Sequence, residues 1–297
     1  MSGNSCKEGF SRDTSLRVVI TGGSSGIGRS VVQEFAEAGH QVLFTYLKNK
    51  AGADSLIAKY PNNTHAVYCD QGNLECISNL YRQVKEWLNG STLHALINNA
   101  ALGSETVRTY DNVSPVLSKP VRKDDDLDIQ DVLGRAWQDE ALMRVNALGP
   151  LWITNSMIPL MVGPSRCVCI MIGSVGGSSC AVFPEYCPAD LMSKAALGYL
   201  TRHLAAQHIY DHIDVLCVSP GATITDMFRK STLDKIGAKV DDFIQKFPKR
   251  RLIEPEEIAA ALLFLTTQSS CRIFHGSVID ASMGLSTRPG IQTEARR

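Results

Sequence analysis

The sequence predicts an α/β fold: a doubly wound parallel seven-stranded sheet with helices on both faces. Short apolar runs alternate with longer helical patterns along the whole chain, and this alternation is typical of a parallel sheet covered on both sides. The chain has 297 residues, of which 44% are hydrophobic and 20% charged, enough for one large domain. A glycine-rich turn directly after the first apolar run indicates where such a sheet would bind a ligand.

The elements follow one another in a regular order. We predict strands at residues 16–20, 41–46, 64–69, 93–98, 166–173, 212–218 and 277–281. Helical patterns fill the intervals near residues 27–39, 51–60, 73–89, 136–161, 188–210 and 255–268. Cys167 and Cys169 alternate within the fifth strand and are predicted to be buried. The domain is placed at 15–287, with flexible tails at 1–14 and 288–297.

Two segments interrupt the alternation, and each follows a predicted strand. The insertion 102–134 is polar and charged, and the substrate loop 223–250 is amphipathic in places. Ligands of open α/β sheets bind at the carboxyl ends of the strands, so both segments are candidate walls of a substrate cleft. For 102–134, a solvated surface loop or a subunit contact remains the alternative. Candidate lining residues are Ser178, Ser179, Phe183, Met227 and Phe228.

Composition narrows the classes of partner. Lysine plus arginine equals aspartate plus glutamate, at 30 each, so nothing indicates a nucleic-acid or membrane-surface partner. No apolar run is long enough to span a bilayer, and residues 1–15 lack the apolar core of a signal peptide. The nine cysteines are scattered without metal-ligand spacing. We therefore expect free thiols, no metal, and a reducing, cytoplasmic location.

The glycine-rich turn at residues 21–28 is interpreted as the pyrophosphate seat of a dinucleotide in a Rossmann fold. Gly22, Gly26 and Gly28 remove the Cβ atoms where the backbone must approach a bulky anion. The helix that follows directs unpaired N–H groups and its positive dipole end at that anion. The candidate contacts are Thr21, Gly22, Ser24, Ser25, Gly26, Ile27 and Gly28.

The end of the second strand bears on the choice of dinucleotide. Tyr46 stands where an acid would bind the ribose 2′-hydroxyl of NAD, and no acid is adjacent. Lys48, with Arg29 or Ser25 as further candidates, could bind a 2′-phosphate instead. This favours NADP(H) over NAD(H). The alternative is that Lys48 is an ordinary solvated loop lysine.

Further motifs occur in a fixed order after this turn. Asp70 follows the third strand, Asn98, Asn99 and Ala100 end the fourth, and Asn146 lies in a helical pattern. Ser174 then closes the fifth strand, Lys194 follows Ser193 in a helix, and Pro220 and Gly221 end the sixth strand. Together with the glycine turn, these motifs resemble the short-chain dehydrogenase/reductase family over roughly residues 14–285. The last glycine of the family's N-N-A-G motif is replaced by Ala101.

The resemblance implies an NAD(P)-dependent oxidoreductase with a small-molecule substrate, assembled as a homodimer or homotetramer. In such a site a lysine ammonium lowers the pKa of a proton-donating tyrosine, and a serine hydroxyl polarises the carbonyl oxygen. The implied catalytic residues are Asn146, Ser174, Tyr186 and Lys194. The implied cofactor contacts beyond the turn are Tyr46, Lys48, Asp70, Gln71, Asn99, Ala100, Tyr186, Lys194, Pro220, Gly221, Thr223 and Thr225.

The tyrosine departs from the family pattern, which places it four residues before the lysine. Here position 190 is aspartate, and Tyr186 lies eight residues before Lys194. In a first interpretation Tyr186 is the proton donor, because a helix that starts near Pro188 leaves Tyr186 in the preceding loop. The chain would then reduce a carbonyl, or a related C=N or C=C group, with NADPH.

Two other interpretations remain open at this stage. In the second, Asp190 replaces the tyrosine, pairs with Lys194 and stabilises a cationic intermediate such as an iminium ion. This would resemble family members that lack the tyrosine and reduce or cyclise iminium-type substrates. In the third, the chain is a redox-inactive nucleotide-binding protein. Cofactor binding does not separate the three interpretations, whereas turnover does.

Overall fold

The computed structural model describes residues 15–111, 135–163, 165–179 and 187–287. Its strands form one sheet in the order β3-β2-β1-β4-β5-β6-β7, and every neighbouring pair is parallel. This confirms the predicted fold class. The strands are β1 (Arg17–Ile20), β2 (Gln41–Tyr46), β3 (Thr64–Tyr68), β4 (Ala95–Asn98), β5 (Cys167–Ile172), β6 (Ile213–Pro220) and β7 (Val278–Ala281).

The main helices also follow the prediction, with one exception. They are α1 (Gly26–Glu37), α2 (Lys50–Lys59), α3 (Leu74–Leu88), α4 (Ala136–Met143), α5 (Gly149–Met157), α6 (Pro188–Gln207) and α7 (Pro255–Thr267). The single helix predicted at 136–161 is instead α4 and α5, joined by a π-helical turn at Arg144–Leu148. Pro150 lacks the N–H that an α-helix would donate to the carbonyl of Asn146, and this favours the wider turn.

Each face of the sheet carries its own apolar core. Val18 and Ile20 of β1 pack with α1, α2 and α7 on one face, whereas Val19 packs with α3, α5 and α6 on the other. Alternate strand residues point to opposite faces, so strands covered on both sides are apolar throughout. Cys167 and Cys169 are buried in β5, as predicted.

A buried arginine fixes the end of α7 to the sheet. Arg166 donates to Asp214 Oδ2 at 2.5 Å and to the carbonyl oxygens of Leu265, Thr266 and Gln268 at 3.0–3.3 Å. The last carbonyl groups of a helix have no partner within the helix, so this guanidinium satisfies acceptors that would otherwise be buried unpaired. It therefore joins α7 to β5 and β6.

Two histidines accept backbone hydrogen bonds at the amino end of β1. His40 Nδ1 accepts the Leu16 N–H at 3.3 Å, and His94 Nδ1 accepts the Arg17 N–H at 3.0 Å. Burial lowers the pKa of both histidines. Each therefore acts in its neutral form, since a protonated ring nitrogen cannot accept a hydrogen bond.

Within the described ranges, no helix is both long enough and apolar enough to cross a membrane. In the same ranges, no group of three or more histidine, cysteine, aspartate or glutamate side chains is arranged to hold a metal ion. The cysteines that the structure describes are all free thiols, namely Cys69, Cys76, Cys167, Cys169, Cys187, Cys217 and Cys271.

Candidate active site

The glycine turn lies between β1 and β4, where the strand order reverses and open α/β sheets bind ligands. Gly22 has a φ of +68°, and a Cβ atom there would lie 2.8 Å from the Cα of Ala100. A Cβ atom at Gly28 would lie 2.2 Å from the Gly22 oxygen. The turn is therefore pressed against the end of β4, and both positions exclude any side chain.

Polar side chains lock this turn to β4. Thr21 Oγ1 accepts the backbone N–H groups of Asn99 and Ala100 at 3.0 and 2.9 Å. In return, Asn99 Nδ2 donates to the carbonyl oxygens of Thr21 and Gly22 at 2.9 and 3.2 Å. Thr21, Asn99 and Ala100 thus hold the seat in shape, and the structure brings all three together as the motifs predicted.

The start of α1 fits the pyrophosphate of a dinucleotide. Ser25 is the N-cap, yet its side chain makes no capping hydrogen bond within the described residues, which leaves the first helical N–H groups available to an anion. Thr225 lies beside this end, because a Cβ atom at Gly26 would be 3.3 Å from Thr225 Cγ2. Ser24 is buried, and Ile27 packs against the core.

The predicted adenosine contacts gather at the ends of β2 and β3. The Tyr46 ring meets the Tyr68 ring edge to face, with centroids 6.1 Å apart. Asp70 is buried, and its carboxylate accepts the Gly72 N–H at 2.9 Å and the Tyr110 hydroxyl at 2.9 Å. Tyr110 belongs to the insertion, and no sequence motif marks it as a site residue.

Gln71 joins two segments of the site, and its contact with a cofactor stays a prediction. Its Nε2 donates to the carbonyl oxygens of Ala100 and Val145 at 2.8 and 2.7 Å. The side chain therefore bridges the end of β4 to the π-helical turn. This contact shapes the floor of the cleft through the backbone.

Residues after β6 close the other end of the cleft. Pro220 ends the strand, and a Cβ atom at Gly221 would lie 3.0 Å from Ser282 Cα, so Gly221 packs tightly against the segment after β7. Thr223 Oγ1 donates to the Gly221 carbonyl at 3.0 Å, and Thr225 Oγ1 accepts the Phe228 N–H at 3.2 Å. These bonds fix the course of the chain between Gly221 and Phe228, which brings Thr225 next to the start of α1.

Ser174 and Lys194 are brought together beyond the end of β5. Ser174 caps the turn Val175–Gly177, with its Oγ accepting the Gly176 N–H at 3.2 Å. That turn packs directly on α6, because a Cβ atom at Gly177 would lie 2.7 Å from the Lys194 carbonyl carbon. The Lys194 ammonium donates to the Ile172 carbonyl at 3.4 Å. Burial lowers the pKa of Lys194, and the Asp190 charge opposes that shift.

Asn146 lies in the π-helical turn and is fully engaged there. Its Oδ1 accepts the Leu102 N–H at 2.7 Å, while its Nδ2 donates to the Leu102 carbonyl at 2.8 Å and to Ser193 Oγ at 3.2 Å. Asn146 therefore ties the segment after β4 to α6, one residue from Lys194. π-Helical turns are frequent at functional sites.

Asp190 occupies the first turn of α6 and is buried, with 7% of the residue exposed. Burial raises the pKa of its carboxyl, whereas the Lys194 charge and a hydrogen bond from the Ser104 backbone N–H lower it. The carboxylate and the ammonium do not form a direct ion pair in the described structure. Tyr186 lies outside the described residues, so its position relative to Lys194 stays a prediction.

The substrate loop reaches across to the segment after β4. The Met227 sulfur would lie 2.9 Å from a Cβ atom at Gly103, and Lys235 Nζ donates to Glu105 at 2.6 Å. Phe228 instead packs with Val175 in a separate apolar cluster. Ser178 and Ser179 follow the serine turn, and Phe183 lies outside the described residues.

Comparison with known proteins agrees with this geometry. The family model described as short chain dehydrogenase matches residues 17–236. Short chain dehydrogenase penD of Penicillium thymicola is 29% identical over 285 residues, covering 92% of each chain. Galactitol 2-dehydrogenase of Rhizobium johnstonii is 26% identical over 269 residues, covering 90% of this chain and 94% of that protein.

A solved structure gives the same result. The Pseudomonas aeruginosa RhlG/NADP active-site complex has a TM-score of 0.72 and 25% identity, covering 91% of this chain and 96% of that chain. The family match spans most of the sheet, the glycine turn and the lysine helix. The chain therefore belongs to the short-chain dehydrogenase family of NAD(P)-dependent oxidoreductases.

Proposed function

We propose that this protein is an NADP(H)-dependent reductase of a carbonyl, or of a related C=N or C=C group, in a small molecule. The observation that carries the proposal is the packing of the Ser174 turn on α6 at Lys194, beside a preformed glycine seat. The likeness to a family member solved with NADP supports the same cofactor class.

The residues of the site have separate tasks in this reaction. The dinucleotide supplies a hydride when bound, and the substrate oxygen must then receive a proton. Ser174 Oγ accepts the Gly176 N–H, so its own O–H proton can point at the substrate oxygen and stabilise the charge that develops there. The Lys194 ammonium favours the ionised form of a neighbouring donor and so lowers the pKa of that donor.

We assign the proton to Tyr186. Helix α6 begins at Pro188, with Cys187 as its N-cap. This start supports the first interpretation, in which Tyr186 precedes the helix, so the helical spacing does not fix its distance from Lys194. A tyrosine hydroxyl near Lys194 would have a lowered pKa and could donate a proton close to neutral pH.

A second candidate is favoured by the burial of Asp190. Asp190 is buried next to Lys194, and the two side chains form no direct ion pair in the described structure. In this alternative Asp190 replaces the tyrosine, and the substrate is an iminium-type cation that is reduced or cyclised. The carboxylate would stabilise the cation through space, since opposite charges at short range attract strongly in a desolvated site.

Two conservative substitutions separate the candidates. NADPH oxidation is measured over panels of carbonyl and imine substrates, and NADPH affinity is measured by calorimetry as the control. Under the leading proposal, Tyr186→Phe lowers kcat by about 100- to 10,000-fold with unchanged cofactor affinity, and Asp190→Asn keeps most of the rate. The reverse result on imines would establish the second candidate. Absence of turnover by the wild-type protein on both panels would favour a redox-inactive nucleotide-binding protein.

The preference for NADP(H) is tested on the wild-type protein. Arg29 donates to the Gly52 carbonyl and the Ser55 hydroxyl, and Lys48 donates to the Thr109 carbonyl. Lys48 remains the first candidate because it lies two residues after β2, where we expect a 2′-phosphate to bind. We expect NADP⁺ to bind more tightly than NAD⁺ in parallel calorimetric titrations. Equal or tighter binding of NAD⁺ would contradict the preference.

A further inference from the structure

The insertion contributes residues to the adenosine end of the cofactor cleft. A surface cavity of about 240 Å³ lies there. Its lining combines the ends of β2 and β3 with two insertion residues, namely Leu47, Lys48, Tyr68, Asp70, Tyr110 and Asp111. Tyr110 and Asp111 match no motif of the chain, so their place in this cavity is a property of this insertion.

Tyr110 is anchored firmly beneath the cavity. Its ring is buried and packs with Leu102, Leu142 and Val145. Its hydroxyl lies 2.9 and 3.0 Å from the two carboxylate oxygens of Asp70. Hydrogen bonds to an ionised carboxylate are stronger than neutral ones. The chain that follows Tyr110 therefore leaves the core at a fixed point.

Asp111 directly follows Tyr110 and lies beside Lys48. The Lys48 ammonium lies 3.7 Å from Asp111 Oδ2 and also donates to the Thr109 carbonyl. Both acceptors come from the same short segment. Lys48 is the residue expected to bind the 2′-phosphate. Its ammonium already interacts with Asp111 and the Thr109 carbonyl before a cofactor binds. A phosphate placed there also meets the negative charge of Asp111.

We propose that Asp111 is a specificity-determining residue of the cofactor site, and that it weakens the discrimination between NADP(H) and NAD(H) that Lys48 provides. Tyr110 is the positioning residue that holds Asp111 there. The proposal rests on the proposed NADP(H) function and deepens it. The charge of Asp111 opposes only the dinucleotide that carries a 2′-phosphate, because NAD has a neutral hydroxyl at that position.

The test is the ratio of the dissociation constants for NAD⁺ and NADP⁺, measured by calorimetry on the full chain. For Asp111→Asn we expect the ratio to rise about two- to fivefold, the range of an exposed charge pair. The rise comes from tighter NADP⁺ binding, with NAD⁺ binding unchanged. It shrinks in about 0.5 M salt because exposed charges are then screened. Asp211→Asn is the matched control, since this exposed aspartate precedes the amino end of β6, four strands away from β2 in the sheet.

Tyr110→Phe tests the positioning step. The ring and its packing stay, and only the hydroxyl that anchors the segment to Asp70 is removed. Any effect of this change on the binding of the adenosine is the same for NAD⁺ and NADP⁺, because both contain adenosine. That effect therefore cancels in the ratio of the two dissociation constants. We expect the ratio to rise in the same direction as for Asp111→Asn, by a smaller factor. A purely structural role for Tyr110 would leave the ratio unchanged.

The outcomes separate this inference from the proposed function. If the wild-type protein binds NADP⁺ and the ratio of Asp111→Asn equals that of Asp211→Asn, the inference is wrong and the proposed function stands. If Asp111→Asn changes the affinity for both dinucleotides equally, Asp111 has no part in specificity. If the wild-type protein binds neither dinucleotide, both the inference and the proposed function are wrong.

Discussion

Gly28 shows how tightly the glycine turn that would bind the cofactor is packed. A Cβ atom at this position would lie 2.2 Å from the Gly22 oxygen and 2.4 Å from Asn99 Nδ2. Both neighbours belong to the lock between the turn and β4. An added methyl group therefore has to displace backbone, which a packed interior resists.

We predict that Gly28→Ala lowers NADP⁺ affinity by about 100-fold, the cost of a small misplacement of binding groups. The control is Gly198→Ala in α6, where the nearest atom to a new Cβ is Val278 Cγ2 at 3.6 Å. That substitution should leave the NADP⁺ affinity unchanged and raise the free energy of unfolding, since alanine is more favourable than glycine within a helix. Calorimetric titration and thermal unfolding measure both effects. Wild-type affinity in Gly28→Ala would contradict the role of the seat.

The sequence was most informative for residues that carry a motif. Thr21, Asn99 and Ser174 lie where the motifs predicted, because each follows a strand whose position the apolar pattern defines, and Lys194 lies in the predicted helix α6. Tyr110 and Asp111 could not be predicted. Their contacts with Asp70 and Lys48 join distant parts of the chain through an insertion with no periodicity.

Helix α7 shows how one side chain determines the stability of an element. Arg166 is the common donor for three carbonyl oxygens at the end of this helix and for Asp214 of β6. Its guanidinium is buried, with 2% of the side chain exposed. Removal of this donor leaves the helix end without its partner, and it leaves the Asp214 carboxylate without Arg166, although His275 Nδ1 lies 3.6 Å from that carboxylate.

We predict that Arg166→Met lowers the free energy of unfolding by about 3–5 kcal/mol, the cost of breaking one side of a buried ion pair. The double variant Arg166→Met, Asp214→Asn should recover part of this loss, because it no longer contains the buried carboxylate that has lost its arginine. Guanidinium unfolding curves of the two variants measure the difference. Equal stability of the double and single variants would show that the ion pair is not the cause.

Element boundaries were predicted well for the strands and less well for the helix after the insertion. Strands buried on both faces are continuous apolar runs, so their ends agree with the structure within about two residues. The π-helical turn at Arg144–Leu148 has one local cause, Pro150, and is also held by the contact of Asn146 with Leu102. That contact is tertiary, and no local pattern in the helix reveals it.

At the scale of the whole molecule, stability should depend on pH through His40 and His94. Burial lowers the pKa of both below the usual 6.5, so the unfolded chain binds more protons than the folded chain in that range. Their contribution is present above the unfolded pKa and is lost as the pH falls below about 6.5. We predict a lower midpoint of thermal unfolding at pH 5.5 than at pH 8.

The variant His94→Asn isolates this effect. Its Oδ1 can accept the Arg17 N–H in place of the histidine nitrogen, and it does not titrate. The difference between the midpoints of thermal unfolding at pH 8 and pH 5.5 should be smaller in this variant than in the wild-type protein. An unchanged difference would assign the acid sensitivity to other groups.

A second prediction at this scale concerns assembly. Met192 and Tyr199 are 60% and 72% exposed on the same face of α6, and an exposed apolar face of this kind favours a second copy of the chain. We propose that this face pairs two copies. Tyr199→Glu should then shift the molar mass measured by light scattering from dimer or tetramer to a smaller species, with cofactor affinity retained. A monomeric wild-type protein would contradict the proposal.

The lock between Thr21 and Asn99 also has a consequence for synthesis of the protein. The turn at residues 21–28 leaves the ribosome early, but its partners Asn99 and Ala100 follow only after three strands and three helices have emerged. Until then the inner edge of β1 is unpaired and open to wrong partners. A nascent chain that ends before β4 therefore contains the whole glycine motif and still cannot hold a nucleotide, and any ligand-assisted folding must begin after that strand.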